Sequence, residues 1–144
     1  AALQDSDTLD LKSFRDTILS QNSRLKINSC FGISTVSASG IERCKSPTID
    51  EIVKFFKDVF RRGKMEPDCI ITTLIYAERL IKKTQGKIRP HPTNWRSILL
   101  SCMILSSKVL DDLSMRNIDF SLVVSAFSLQ QINELEVTIL NALS

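Results

Sequence analysis

Between Ile98 and Leu110 the sequence reads ILLSCMILSSKVL, and every residue except Lys108 is apolar or small. A helix with one apolar stripe can lie on a surface, but a helix apolar all round has to be enclosed. The uncharged run Ser97–Ser107 is well short of the roughly 20 residues that cross a bilayer, so other parts of the chain must enclose it. Its serines let neighbouring backbones approach closely. A chain of 144 residues can provide such an enclosure, because a domain of this size buries roughly 68–70% of its unfolded surface.

The partners are readable as helices. In SPTIDEIVKFFKDVFRRG, Thr48 and Glu51 have capping-box spacing. Ile49, Ile52, Val53, Phe56, Val59 and Phe60 recur at helical intervals and are expected to form one buried face. Gly63 is the expected stop. A second helix is expected from Pro67, a residue suited to a first turn, through CIITTLIYAERLIKK to a stop near Gly86. The loop GKIRPHP follows, and Thr93 is positioned to cap the enclosed helix. NIDFSLVVSAF reads as a short helix. SLQQINELEVTILNAL reads as the last, with Ile132, Leu135, Ile139 and Leu143 on one face. No segment alternates as a strand would. The expected fold class is all-α, with five helices over residues 47–144. Residues 1–46 read as an N-terminal extension with a helix within 8–20, where Leu11, Phe14 and Ile18 are spaced helically, followed by a serine-rich linker.

Composition narrows the function. The net charge is +3, and the basic residues gather at helix ends (Arg61, Arg62 and Lys64, then Lys82, Lys83, Lys87 and Arg89), where they complement helix dipoles. That distribution gives no face for nucleic acid. Cys30, Cys44, Cys69 and Cys102 are far apart, and His91 is the single histidine. Without close ligand pairs no metal site is expected, and no cofactor is implied. The cysteines read as reduced thiols of an intracellular protein, cytoplasmic or nuclear. No nucleophile lies near His91 in sequence, so no catalytic residue is assigned and no enzyme is expected.

One short stretch resists a local explanation. Lys108, near the end of the enclosed helix, suits the helix dipole, but Asp111 and Asp112 do not. Lys108 and Asp112 are four apart in the weaker orientation, worth a few tenths of a kcal/mol at most. In the last helix Glu134 and Glu136 interrupt an apolar pattern. If the two helices pack side by side, Lys108 and Glu136 meet on one rim. Opposite charges beside apolar side chains make a docking edge, with area from the apolar groups and register from the charges.

At this point the sequence resembles a cyclin box. YAERL at 76–80 is similar to the cyclin second-helix pattern, LSSKVLDD to the third-helix ending and INELEVTIL to the fifth-helix pattern. PTNWRSILL, and SKVLDD followed by RNIDF, resemble the cyclin Y and phosphate-pathway (PHO-type) branch more finely. The resemblance covers about residues 47–143 and implies a non-catalytic regulatory subunit that binds a cyclin-dependent kinase catalytic subunit of the PCTAIRE, PFTAIRE or phosphate-pathway class. It places the kinase-binding positions at Lys108 and Glu136, with apolar contacts at Leu105, Val109 and Leu140 and a further charged contact at Asp112. The first box helix departs from cell-cycle cyclins in lacking an MRAIL-like stretch, so docking of RxL substrates is not expected, and Glu78 is left without its usual arginine partner. An exposed apolar kinase-binding face would also permit self-association. The competing reading is a cyclin-fold adaptor of the kind found in transcription factor IIB or retinoblastoma-type domains, which does not act through a kinase.

Overall fold

The computed structural model describes residues 45–144. The helix expected within 8–20, most of the serine-rich linker, Cys30 and Cys44 lie outside the described residues. The described chain forms α1 (Ile49–Arg62), α2 (Asp68–Lys83), α3 (Trp95–Leu110), α4 (Asn117–Val123) and α5 (Leu129–Leu143), with no strand among the described residues.

α3 is the axis of the fold. Trp95, Ile98 and every residue from Leu100 to Ser107 are buried, and α1, α2 and α5 pack around them. The helix separates two core clusters. On one side Leu100, Met103 and Ile104 meet Val59 of α1, Cys69 of α2, Phe120 of α4 and Ile132 of α5. On the other, Ile98, Cys102 and Leu105 meet Leu80 of α2, Ile88, and Leu135 and Ile139 of α5. The serines serve the close approach: Ser106 Oγ donates to the Cys69 carbonyl of α2 at 3.1 Å. At the start of α3, Trp95 meets Phe55 of α1 edge-on, with ring centroids 5.5 Å apart.

The ends of the helices show which local expectations hold. Thr48 and Glu51 form the expected capping box. α5 has one as well, from Ser128 and Gln131. Thr93, however, does not cap α3. The N-cap is Asn94, whose side chain makes no cap bond and instead ties the preceding loop, with Oδ1 accepting from His91 N–H and Nδ2 donating to the Arg89 carbonyl. Gly63 ends α1 without using a glycine's freedom, since its own φ is −74°. Lys64 takes the left-handed conformation instead (φ 49°), with Lys64 N–H donating to the Arg61 carbonyl and Met65 N–H to that of Phe60, a Schellman arrangement. Gly63 is required for space, because a Cβ there would lie 2.8 Å from the Val59 carbonyl oxygen. α2 ends the same way, with Gln85 left-handed (φ 54°) one residue before Gly86.

Two apolar expectations need correction. Of the α1 face, only Val59 is buried; Ile49 is 78% exposed and Val53 41%. The reason is geometric, since α1 meets the core mainly through its C-terminal half, where Val59, Phe56 and Phe60 join one cluster. The apolar run of α4 also does not stay helical. The helix stops at Val123, and Val124 leaves it so that Phe127 turns back against both core clusters.

Candidate functional site

The rim expected between α3 and α5 exists. Because α3 and α5 pack side by side, Lys108 in the last turn of α3 reaches Glu136 in the middle of α5, and Nζ donates to Oε1 at 2.5 Å. The pair is only partly open to solvent, with side-chain exposures of 29% and 19%. Screening is therefore weaker than for a surface pair. The other carboxylate oxygen of Glu136 accepts from Asn117 Nδ2 at 2.6 Å, and the same amide nitrogen donates to Asn133 Oδ1 at 2.7 Å. Lys108, Glu136, Asn117 and Asn133 thus form one hydrogen-bonded group drawn from α3, α4 and α5.

Exposed apolar residues adjoin this group in sequence, Val109 beside Lys108, Ile118 beside Asn117 and Val137 beside Glu136. Val109, Leu110 and Leu113 on the α3 side and Val137 and Leu140 on α5 are exposed, and Leu113 is 94% open to solvent. On α4, Ile118 and Leu122 are exposed as well. Leu105 differs from the other apolar positions singled out in the sequence. It is only 8% exposed and packs in the core beside Ile98, Cys102 and Leu135, so it supports the rim from beneath.

The two aspartates after α3 do different things. Asp111 stands at the C-cap in extended backbone (φ −79°, ψ 134°), and its carboxylate bridges the last turn of its own helix and the start of α2. Oδ1 accepts from the Glu66 N–H at 3.1 Å and from the Cys69 thiol at 3.4 Å, and Oδ2 accepts from Ser107 Oγ at 2.5 Å. A carboxylate misplaced at the C-terminus of α3 is therefore well placed at the N-terminus of α2, where the dipole and free N–H groups favour it. Burial, and then the bond to Asp111, push the Cys69 thiol above its ordinary range. Asp112 is exposed and makes no hydrogen bond or ion pair among the described residues.

Two further residues fall outside the rim. Glu78 pairs with Lys82 one turn on, the favourable order for a helical pair, and that neighbour holds its carboxyl below the usual range. His91 is exposed; its Nδ1 accepts from the Thr93 N–H and is hydrogen-bonded to Thr93 Oγ1. No group of three or more His, Cys, Asp or Glu side chains is arranged to hold a metal ion among the described residues, and none of the described helices is long and apolar enough to cross a membrane.

Sequence reasoning missed Asp111, Asn117 and Asn133 as members of the group and its support. The signal for Asp111 was present as a carboxylate in the wrong place. Asn117 and Asn133 gave none, because an asparagine near a helix start is ordinary.

A central buried helix enclosed by four others, with a charged pair where two of them emerge, defines an all-α box. The family model for the cyclin N-terminal domain matches residues 33–144, and the chain belongs to that cyclin family. It is 27% identical over 110 residues to Cyclin-U1-1 of Arabidopsis thaliana, an alignment covering 76% of this chain and 50% of that protein. The chain thus spans about half the length of that relative. No solved structure matches it significantly.

Proposed function

We propose that the chain is a non-catalytic regulatory subunit that binds and activates a cyclin-dependent kinase. The observation that carries this reading is a partly buried ion pair, Lys108–Glu136, set in a rim of exposed Val109, Leu110, Leu113, Val137 and Leu140. Contiguous exposed apolar groups mark interaction surfaces, and a central charge pair fixes the register of the partner. Asp112, exposed and without a partner among the described residues, adds a carboxylate four residues after Lys108, suited to an arginine of the kinase. The finer resemblance of SKVLDD and RNIDF to the cyclin Y and PHO-type branch directs the reading to a kinase of the PCTAIRE, PFTAIRE or phosphate-pathway class.

Activation in this reading is a population shift. The subunit binds the kinase with its regulatory helix turned inward, which completes the lysine–glutamate pair that orients the ATP phosphates. Moving such an equilibrium from 1:99 to 99:1 takes about 5.5 kcal/mol of differential affinity. Fully burying one Leu or Val contributes about 1.5–3 kcal/mol before the cost of association. The exposed apolar rim supplies that shift only through burial that it gains with the inward-turned helix and does not gain with the other state.

The test is affinity capture from a cell lysate with wild type beside the Lys108→Ala/Glu136→Ala double variant, each checked for native helicity by circular dichroism. Capture of a PCTAIRE-like or phosphate-pathway-like kinase by wild type, reduced at least tenfold in the folded variant, is the expected outcome. Equal capture by both would move the interface away from this rim. Failure of well-folded wild type to hold any kinase would favour the adaptor reading.

A further inference from the structure

Asn117 is the first residue of α4, and its amide nitrogen donates to both Asn133 Oδ1 and Glu136 Oε2 of α5. An ionised carboxylate only accepts, so the nitrogen end of the amide has to face Glu136. The consequence appears at the other end. Asn117 Oδ1 is buried with no hydrogen-bond partner among the described residues. Buried acceptors are normally paired, and turning the amide over would set its oxygen against two acceptors. The side chain thus tolerates one unsatisfied atom while holding Glu136 from the side opposite Lys108. Lys108 gives one of its three N–H groups to Glu136.

We infer that Asn117 is a positioning residue for the Lys108–Glu136 pair. It fixes the Glu136 carboxylate, and through it the Lys108 ammonium, at the centre of the apolar rim, and it links α4 to that rim. This rests on the docking reading for its consequence at the partner, but the positioning itself is a property of the chain alone. The competing role for Asn117 is local, as a residue that only serves the start of α4. The two roles predict opposite results for Asn117→Asp. A carboxylate in the first turn favours a helix, so a local role predicts no loss. A positioning role predicts that Asp, acceptor-only and facing another carboxylate, is worse than Ala.

The experiment is a mutant cycle on the full chain by urea unfolding. The Lys108–Glu136 coupling is measured with Lys108→Ala and Glu136→Ala in the wild-type, Asn117→Ala and Asn117→Asp backgrounds. We expect the coupling to fall below half its wild-type value with Ala and to vanish with Asp. Unchanged coupling in both backgrounds overturns the inference. Kinase capture by the same variants separates this result from the docking reading. Lost coupling with no kinase held even by wild type leaves the positioning intact and removes the docking reading. Preserved coupling with a kinase held by wild type does the reverse.

Discussion

Asp111 and Asp112 are adjacent, carry the same charge and are equally out of place by the rules of a helix C-terminus, yet among the described residues only Asp111 finds partners. Asp111 satisfies Glu66 N–H, the Cys69 thiol and Ser107 Oγ, while Asp112 faces solvent. Asp111→Ala should therefore lower stability by about 0.5–2 kcal/mol, since it removes the side-chain acceptor that caps the start of α2 and holds Cys69 and Ser107. Asp112→Ala should change stability by less than about 0.5 kcal/mol and weaken capture of the partner. Urea unfolding of both variants beside the capture assay checks the division, and equal stability losses would refute it. Lys108 and Glu136 were legible as a candidate pair because a lysine near a helix end and a glutamate inside an apolar pattern both stand out in sequence. Asn117 was not legible, because its importance lies in what faces it.

At the scale of elements, the sequence marked the helices by apolar period and by their starts, and it was least reliable at their stops. Gly63 and Gly86 signalled the ends of α1 and α2, but at the first the left-handed residue is Lys64, and at the second Gln85 is left-handed together with Gly86. Left-handed backbone costs a residue with a Cβ about 1–2 kcal/mol, partly offset by the extra freedom a glycine has in the unfolded chain. Lys64→Gly and Gln85→Gly should each raise stability by about 0.5–1 kcal/mol, read as a shift of the urea midpoint at constant slope. A fall in the midpoint would mean that the side chain contributes contacts outweighing its backbone strain. α4 illustrates a different limit. Its apolar run continues past Val123, but Phe127 has to turn inward to reach both core clusters, and tertiary packing overrides the helical pattern.

For the whole molecule, the enclosed helix α3 ties stability to groups that never meet solvent. Cys102 is an example, since burial pushes its thiol up to about 12 from an ordinary 9.0. The folded chain then keeps this proton at a pH where the unfolded chain has lost it. Stability is therefore undiminished below about pH 9 and falls as pH rises towards 12, approaching ~1.4 kcal/mol per pH unit from this group. Urea unfolding between pH 8 and 11 should show that decline, and Cys102→Ala should flatten it. An unchanged slope in the variant would assign the decline to other groups. The same burial predicts that Cys102 resists alkylation until the chain unfolds.

The sequence by itself determined the all-α class, the five helices and the central place of α3, because period and apolar content act locally and a segment apolar all round permits only one position. It also nominated Lys108 and Glu136. Only the tertiary structure decided that Asp111 belongs to the start of α2, that Leu105 lies beneath the rim, that much of the α1 apolar face stays open, and that Asn117 holds Glu136. Each of these depends on which side chain from a distant helix arrives opposite, and hydrogen-bond and burial partners far apart in sequence leave no trace in local pattern.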